Sequence, residues 1–496
     1  MSTPTVEPVA RSRSRGETKK EEPDSAGSIA VHRSLGGDPE NGQDQVKEVQ
    51  VDAVFGEQGG DDTVNYRSLG WFPAGGGEGI LIAKSQIGIG VLAMPGAFRV
   101  LGLVPGILIL LTFSCTCAWT AYYLGRFKLN HPQVYSVSDA AEMIMGPIGR
   151  EVFGVFYWLT CTLTTGSVLL TISTAFNAMS LHVTCTAVFV AVAAIMTYPL
   201  ASIKTLNTFR WVGYVGLVSI LSALLLVLFG VAVGGRPSLA PQTGPLDLGI
   251  EMFGSPNFPD ALNAVASLFF AFTATPAFLP IAAELRDPRD YTKSVLLGEA
   301  FVGCFFQVIS IVIYLKAGRY VASPALGTAG VLIKRIAYGL ALPGLLFTTS
   351  FYAQLPAKWM FFRILAGSHH LNHRTKTHWI TWFSCSASCV LFAYIVASAI
   401  PIFDGLVGLI SALTGFPLTF HIEALMYLYD NRAYLSLHPP TPRSLLKTLG
   451  IAFNLVLLVV ASFLCVGGVY GSVIVIKDSY ADGGRPWSCA DNSGSV

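Results

Sequence analysis

The chain has 496 residues, of which 52% are hydrophobic and 12% are charged, whereas soluble globular domains have about 25% charged residues. The net charge is +2, and the 32 Lys and Arg residues lie in short clusters between long apolar runs. This composition excludes an ordinary soluble enzyme and a nucleic-acid-binding protein, and it indicates an integral membrane protein.

Residues 1–65 are predicted to form a disordered cytoplasmic tail. They hold the basic stretch RSRSRGETKK and then an acidic, Gly- and Gln-bearing stretch with few large apolar residues, too few to bury a core. Because the tail has no apolar signal-peptide core, we expect the first spanning helix to direct membrane insertion. The stretch NYRSLGWF then supplies aromatic residues that suit a membrane interface.

Eleven stretches are each long enough to cross a hydrocarbon core of about 30 Å, which takes about 20 helical residues. They lie at 78–98, 102–125, 151–179, 184–201, 211–233, 260–284, 294–315, 331–355, 379–400, 404–428 and 447–475. We therefore predict an all-α polytopic membrane protein. Its transmembrane domain covers 66–476, and a short extracellular or lumenal tail covers 477–496.

The loops predict the orientation of the chain. If the N-terminus is cytoplasmic, the inside loops without the tail hold fifteen Lys and Arg residues and the outside loops hold eight. Cytoplasmic loops carry the excess of positive charge, so the N-terminus is predicted to lie in the cytoplasm. We expect the plasma membrane in preference to the vacuolar membrane.

The nine cysteines predict neither a disulfide framework nor a structural metal site. Their number is odd, and seven of them lie in apolar runs, where Cys acts as a small hydrophobic residue. No His or further Cys lies at zinc-ligand spacing from Cys115 and Cys117.

The first spanning stretch, GILIAKSQIGIGVLAMPGAF, contains residues that interrupt a helix. Gly88 and Gly90 are two residues apart, and Pro95 follows. A helix interruption in lipid exposes backbone N–H and C=O groups, so it is tolerated where it lines a cavity. The Gly-x-Gly therefore predicts a binding site near the middle of the membrane.

The sixth stretch, ALNAVASLFFAFTATPAFLPIAAEL, carries a second interruption. Pro276 cannot donate to the helix ladder and clashes with the preceding turn, which frees carbonyls near Phe272. The two broken helices take corresponding positions in two five-helix halves, a pattern typical of inverted-repeat transporters. Ordinary glycine and proline kinks in a helical bundle remain the alternative.

The two breaks together predict a site for a zwitterion, hence for an amino acid. We expect the amides of Ile89, Gly90 and Val91, at a helix N-terminus, to take a carboxylate. We expect the carbonyls near Ala271 and Phe272 to take an ammonium group. In the third stretch, Thr162 could line the pocket or bond to a neighbouring helix.

These segments also resemble a known family. AKSQIGIGVLAMPGAF resembles the first-helix signature of the amino acid/auxin permease family, and FFAFTATPAFLPIAAELRDPRDYTKSV is similar to the sixth helix and following loop of its fungal neutral amino acid permease branch. YVASPALGTAG and NYRSLGWF resemble further segments of that branch. The resemblance covers about 66–475.

The resemblance implies eleven helices with a LeuT-type five-plus-five inverted repeat, and import of amino acids by cation symport, usually with protons. A sodium site in that fold would correspond here to Thr349 and Ser350 with carbonyls near Ser85 and Gly88. The sequence departs from the family at TATP, where relatives often have a glycine with a histidine nearby. Thr273 and Thr275 would face the substrate's side chain, so the choice of substrate is not carried over.

Coupling to a cation requires a group that responds to substrate or conformation. Lys84 would cost about 2.5–3.5 kcal/mol at a helix centre, so it either needs a charge partner or extends to the cytoplasmic face. The titratable candidates in the seventh and tenth stretches are Glu299, His421 and Glu423. The hydroxyls of Thr348, Thr349 and Ser350 are candidates that could equally bond back to their own helix.

The function predicted is secondary active transport of neutral amino acids by alternating access, with co-transported H⁺ or Na⁺ and no other cofactor. The partners expected are the small-molecule substrate and the lipid bilayer. An amino acid sensor with the same fold, or an exporter of an amino-acid-derived metabolite, remains open. The sequence lacks the phosphate-loop, His-Glu-x-x-His and Gly-x-Ser-x-Gly motifs, so an ATP-driven pump or a hydrolase is not predicted.

Overall fold

A computed structural model describes residues 86–203, 206–233, 236–279, 282, 291–371, 373, 375–435, 445–481 and 485–494. Within these ranges every long regular element is a helix, and eleven apolar helices follow one another. They are α1 (Gly90–Leu101), α2 (Leu103–Asn130), α3 (Pro147–Ser180), α4 (Thr186–Ala201), α5 (Leu206–Ala232), α6 (Phe258–Phe269), α7 (Tyr291–Ala317), α8 (Val331–Ile364), α9 (Lys376–Ala399), α10 (Phe403–Asp430) and α11 (Leu445–Ala481).

Each predicted spanning stretch overlaps one helix, which confirms the predicted all-α membrane fold; residues 78–85 of the first stretch and 280, 281, 283 and 284 of the sixth lie outside the described residues. Eight of the helices are long and apolar enough to cross a membrane; α1, α4 and α6 are shorter. The bounds differ most at the two breaks, where α1 begins at Gly90 and α6 ends at Phe269. Helices α8 and α11 extend beyond their predicted ends, to Ile364 and Ala481. Hydropathy marks only the apolar part of a helix, so it misses turns that continue beyond the hydrocarbon core.

Gly102 makes the sharp connection between α1 and α2. It has a φ of 85°, a backbone conformation that side-chain-bearing residues rarely adopt. The neighbouring amide of Leu103 donates to the carbonyl of Glu251 at 3.0 Å, and the amide of Gly254 donates to the carbonyl of Leu101 at 2.9 Å. The outer end of α1 therefore lies beside the start of α6, and the two helices run antiparallel.

The helices pair across the two halves of the chain. Helix α1 packs on α6, α2 on α7, α3 on α8, and α4 on α9. Among the described residues, the first four helices of the first half thus each contact the helix five positions later, a pattern that the predicted five-plus-five inverted repeat explains. The helices α1, α2, α6 and α7 form one group, and α3, α4, α8 and α9 form a second group beside it.

The expectation about the cysteines is wrong for two of them. Cys185, just before α4, forms a disulfide with Cys489 in the C-terminal tail, and 304 positions separate them. These are the two cysteines that lie outside the apolar runs described above, and a partner so distant in sequence leaves no local spacing signal. The other seven are free among the described residues.

The C-terminal tail, residues 485–494, lies along the helix ends near this disulfide. It forms a hydrogen bond with one residue in each of four helices. The bonds join Asn177 and Asn492 at 2.7 Å, Thr186 and Ala490 at 2.6 Å, Lys334 and Ser493 at 2.5 Å, and Ser398 and Trp487 at 2.9 Å. The tail therefore joins α3, α4, α8 and α9, which are the second group of helices.

Candidate functional site

The break in the first helix lies where the Gly-x-Gly predicts it. The backbone bends at Ile87 and Gly88, and the α-helical hydrogen bonding begins at Gly90. No side chain caps this helix start, and its first turn contains no acidic residue. The leading amides of a helix lack intrahelical partners and carry partial positive charge, so those of Gly90 and Val91 are oriented to accept an anionic group. Lys84 and Ser85 lie outside the described residues.

The break in the sixth helix spans two short turns. Helix α6 ends at Phe269 and is followed by 3₁₀ turns at Phe270–Phe272 and Thr275–Ala277. Thr273 donates its hydroxyl to the carbonyl of Phe270 at 2.7 Å, and Thr275 donates to the carbonyl of Phe272 at 2.8 Å.

The carbonyl of Phe272 has one of its two acceptor positions occupied by the hydroxyl of Thr275, and its predicted contact with an ammonium group stays a prediction. A carbonyl oxygen can accept a second hydrogen bond. The two threonines stabilise the irregular backbone, a function that the sequence reasoning did not assign to them.

The two breaks touch each other. A Cβ added to Gly90 would lie 2.5 Å from the Cα of Ala271 and 2.6 Å from its Cβ, which leaves no room for a side chain. At Gly88 the situation is the opposite, because none of the described residues has a heavy atom within 4 Å of an added Cβ. The chain thus places open space directly before the helix start and close to the second break.

Helix α10 adds a third irregular segment that the sequence analysis did not identify. Its middle contains two consecutive π-helical segments, Ser411–Gly415 and Pro417–His421, a distortion that is frequent at functional sites. They pack against the turns of the α6 break, and a Cβ on Gly415 would lie 2.5 Å from the methyl group of Thr273. Gly415 and Pro417, which are two residues apart, are the sequence signal that could have indicated this irregular segment.

Aromatic rings surround this junction. Phe269 stacks on Phe416 with a centroid separation of 4.3 Å, and it contacts Phe420 at 4.7 Å and Phe113 at 5.2 Å. A charged substrate side chain would need a compensating charge in such surroundings. The environment of the breaks therefore suits an uncharged side chain.

The hydroxyl candidates bond to their own helices. Thr162 donates to the carbonyl of Trp158 at 2.8 Å, and Thr348, Thr349 and Ser350 donate to the carbonyls four residues earlier at 2.7–2.8 Å. The hydroxyl oxygens keep lone pairs that could still accept a bond or bind a cation. Their place in a substrate or sodium site stays a prediction.

The titratable candidates separate into two places. His421 bonds to Ser462 of α11 at 3.0 Å and to the carbonyl of Phe416 at 3.1 Å. Glu299 and Glu423, by contrast, are buried in the protein, each with 2% of its surface exposed. Gln86, in the segment before α1, donates its side-chain amide to Glu299.

A polar cluster lies at the opposite end of the site, where α1 ends and α10 begins. Arg99, at the end of α1, bonds to the carbonyl of Val321 at 3.1 Å and lies 3.8 Å from the carboxylate of Asp404 at the start of α10. Ser323 donates to the same carboxylate, and Ser267 of α6 donates to the carbonyl of Asp404 at 3.2 Å. The sequence analysis did not select Arg99 or Asp404, because their neighbours are distant in sequence.

Two helices broken side by side within a bundle of membrane-spanning helices define a membrane transporter. Residues 78–474 match the family described as "Transmembrane amino acid transporter protein". The chain belongs to this family, which confirms the predicted resemblance and the predicted class of transporter rather than enzyme.

Similar proteins cover nearly the whole chain. A transmembrane transporter of Gibberella moniliformis is 32% identical over 88% of this chain and 90% of its own. A transmembrane transporter of Fusarium pseudograminearum is 30% identical over 92% of both chains. The N amino acid transport system protein of Neurospora crassa is 28% identical over 83% of this chain and 87% of its own.

Solved transporter structures show a distant likeness. MhsT in complex with L-phenylalanine has a TM-score of 0.47 and 12% identity, covering 80% of this chain and 98% of its own. Mhp1, a nucleobase-cation-symport-1 family transporter in a closed conformation with bromovinylhydantoin bound, has a TM-score of 0.48 and 12% identity, covering 84% and 94%.

Proposed function

We propose that this protein imports neutral amino acids as a secondary active transporter driven by proton symport. The observation that carries the proposal is the contact between the two breaks, where Gly90 lies against Ala271 beside the open space at Gly88. Helix-start amides for a carboxylate and irregular-turn carbonyls for an ammonium group suit the two charges of an amino acid. The phenylalanine cluster favours a neutral side chain, and the family's description supports an amino acid as the substrate.

Alternating access would proceed by tilting the half-helices at the breaks. The irregular segments at Gly88 and at Thr273 supply flexible joints, while the paired helices α3, α4, α8 and α9 stay together. Substrate and proton are coupled only if both stabilise the same closed state. Contacts at the two ends of the site, such as Arg99 with Asp404, would then form and break in turn.

The direction of the chain follows from the disulfide and from the loop charges. Disulfides persist in oxidising compartments and are rare in the cytoplasm, so the side that carries Cys185 and Cys489 is proposed to face outward. With eleven spanning helices, an outward C-terminal tail implies a cytoplasmic N-terminus, and we propose this orientation. Import then corresponds to movement towards the side of the N-terminal tail, and the plasma membrane is the proposed location.

The test is uptake of a panel of labelled amino acids in a transport-deficient host that expresses the full chain at its surface. External pH is varied, and sodium is either present or replaced by N-methylglucamine. We expect saturable uptake of neutral amino acids that rises at acid pH, does not depend on sodium and collapses with an uncoupler. Host cells without the protein supply the background.

Two results would contradict this proposal. Absence of uptake for every amino acid, with the protein folded and at the surface, would exclude the importer and favour the sensor or the exporter. Uptake that requires sodium and ignores pH would retain the importer but exclude proton symport.

A further inference from the structure

We propose that Glu299 and Glu423 together form the proton-binding site of this transporter, and that Gln86 connects this site to the broken first helix. The inference rests on the proposed function and adds the identity of the coupling site. It goes beyond the separate titratable candidates in two ways. It assigns one shared proton to the two carboxyl groups, and it assigns to Gln86 the role of connecting them to the movement of the first helix.

Neither carboxyl group has a cationic partner among the described residues. Both oxygens of Glu423 and one oxygen of Glu299 are buried without a hydrogen-bond partner in the part of the chain that the structure describes. Val295, one turn before Glu299, and Ile422, next to Glu423, belong to one cluster of buried residues, so the two carboxyl groups lie on helix segments that pack into the same part of the core. Two buried carboxylates without a cation repel each other and lose their hydration, so the pair is stable only with a proton bound.

The groups that face the pair are uncharged. Thr120 of α2 lies beside Glu423, but its hydroxyl donates to the carbonyl of Cys117 at 3.2 Å. Cys117 of α2 and Tyr291 of α7 are buried titratable groups on the helices around the pair, and Tyr291 donates to the carbonyl of Ala121 at 3.3 Å. None of these groups supplies a positive charge.

The hydrogen bond from Gln86 assigns the proton to one member of the pair. Gln86 donates to Glu299 and thereby stabilises its charged form, whereas Glu423 has no donor among the described residues. Glu423 is therefore the residue that carries the proton while the site is closed. The amide oxygen of Gln86 is itself buried without a partner, so this side chain is directed into the site and has an acceptor available.

The position of the pair fits release towards the cytoplasm. Glu299 is eight residues from the first residue of α7 and Glu423 is seven from the last residue of α10, about 12 and 10 Å from those helix ends at 1.5 Å per residue. In the proposed orientation both ends are cytoplasmic. When the segment before Gly90 moves away, Gln86 leaves Glu299 and water reaches the pair. The O–H bond of Glu423 then breaks, and the proton passes to that water.

A sodium ion is the competing ligand for two carboxylates. Within the described residues no group of three or more His, Cys, Asp or Glu side chains is arranged to hold a metal ion. One oxygen of Glu299 already accepts the amide of Gln86. The observations therefore favour the proton, and sodium is an outcome of the test.

The experiment compares Glu423→Gln and Glu299→Gln with the wild type in proteoliposomes that contain a pH dye. The probe is the neutral amino acid that the wild type takes up best in the panel above. Counterflow of that amino acid measures exchange, while accumulation driven by an imposed pH gradient and substrate-dependent proton entry measure coupling. Glu142→Gln, which removes an exposed carboxylate paired with Arg150 at 3.3 Å, is the matched control.

We expect Glu423→Gln to retain counterflow that no longer varies with pH, and to lose both gradient-driven accumulation and proton entry. Glu299→Gln should weaken coupling as well, whereas Glu142→Gln should behave as the wild type does. Gln has nearly the same shape as Glu, so we expect both variants to fold, and gel filtration checks this. If one variant does not fold, the other still provides the comparison with the wild type.

The outcomes separate this inference from the proposed function. If the wild type shows no counterflow of any amino acid, the proposed function fails and the coupling site fails with it. If the wild type accumulates substrate with proton entry and both Gln variants still do so, only the coupling site is wrong. Accumulation that requires sodium and is lost in Glu423→Gln would replace the proton with a sodium ion and overturn the inference.

Discussion

Gly88 and Gly90 differ in what surrounds them, although they are only two residues apart. A methyl group on Gly90 would overlap the backbone of Ala271, whereas a methyl group on Gly88 would enter open space. We expect Gly90→Ala to lower stability by about 1–3 kcal/mol through overpacking. By displacing the two breaks it should also lower uptake by about 100-fold. Thermal unfolding in detergent and initial uptake rates measure the two effects.

Gly88→Ala is the matched control for that substitution. It should leave the unfolding temperature unchanged, because no described neighbour is displaced and Gly88 does not have a left-handed backbone conformation. If substrate occupies the open space, Gly88→Ala raises the KM for larger amino acids, and Gly88→Leu abolishes uptake by a folded protein. Equal stability and equal KM values for the two alanine variants would show that neither glycine has the position described here.

Residue-level reasoning from the sequence succeeds where the signal is local. The Gly-x-Gly and the proline of TATP predict two breaks because each disturbs its own helix. Contacts such as Gln86 with Glu299, which are 213 residues apart, leave no spacing to detect. The sequence therefore supplied both carboxyl groups as candidates but could not show that both are buried or that Gln86 bonds to Glu299.

At the scale of helices, eleven apolar stretches predict eleven helices because a membrane requires every backbone group to bond within its own segment. Helix α10 was predicted as a regular span, since Gly415 and Pro417 are tolerated in membrane helices for many reasons. Its π-helical segments pack against the α6 break, a contact between segments distant in sequence. Gly415 and Pro417 could have indicated an irregular segment, but not that it lies beside the α6 break.

The outer ends of α1 and α10 provide a prediction at this scale. Asp404 connects Arg99 to Ser323, so we expect Asp404→Asn to weaken closure of the outer end. Ser267, buried under this contact with 2% of its surface exposed, is the site for a probe. In Ser267→Cys, labelling by a membrane-impermeant maleimide should become several-fold faster when Asp404→Asn is added.

A carboxylate on the same side of the protein serves as the control. Asp247 lies 3.6 Å from Arg319 in an exposed pair, and such pairs contribute only about 0–1 kcal/mol. Asp247→Asn should leave the labelling rate at Ser267→Cys unchanged. If Asp404→Asn and Asp247→Asn have the same effect, the contact with Arg99 does not control access.

For the whole molecule, the pairing of the helices α1 to α4 with the helices five positions later agrees with two broken helices at corresponding positions, which the sequence predicts. The attachment of the C-terminal tail does not follow from any pattern in the chain. Residues 485–494 are polar and Gly- and Ser-bearing, a composition typical of an exposed tail. Only the disulfide and the contacts with four helices reveal that this segment belongs to the folded domain.

The disulfide gives the last prediction. It closes a loop of about three hundred residues and joins the tail to the group α3, α4, α8 and α9. We expect Cys185→Ser and Cys489→Ser each to lower the free energy of unfolding by about 2–5 kcal/mol. The double variant should be no less stable than either single one, because both remove the same bond. Cys304→Ser, at a free and exposed cysteine, should leave the unfolding temperature unchanged.

The same bond reports on orientation in intact cells. A membrane-impermeant reductant applied outside should lower the unfolding temperature of the wild type to that of Cys489→Ser, because the proposed topology places the tail outside. If the reductant acts only after the cells are permeabilised, the tail faces an internal compartment. Either the chain is then inverted or the protein lies in an organelle membrane, and uptake measured at the cell surface would distinguish the two.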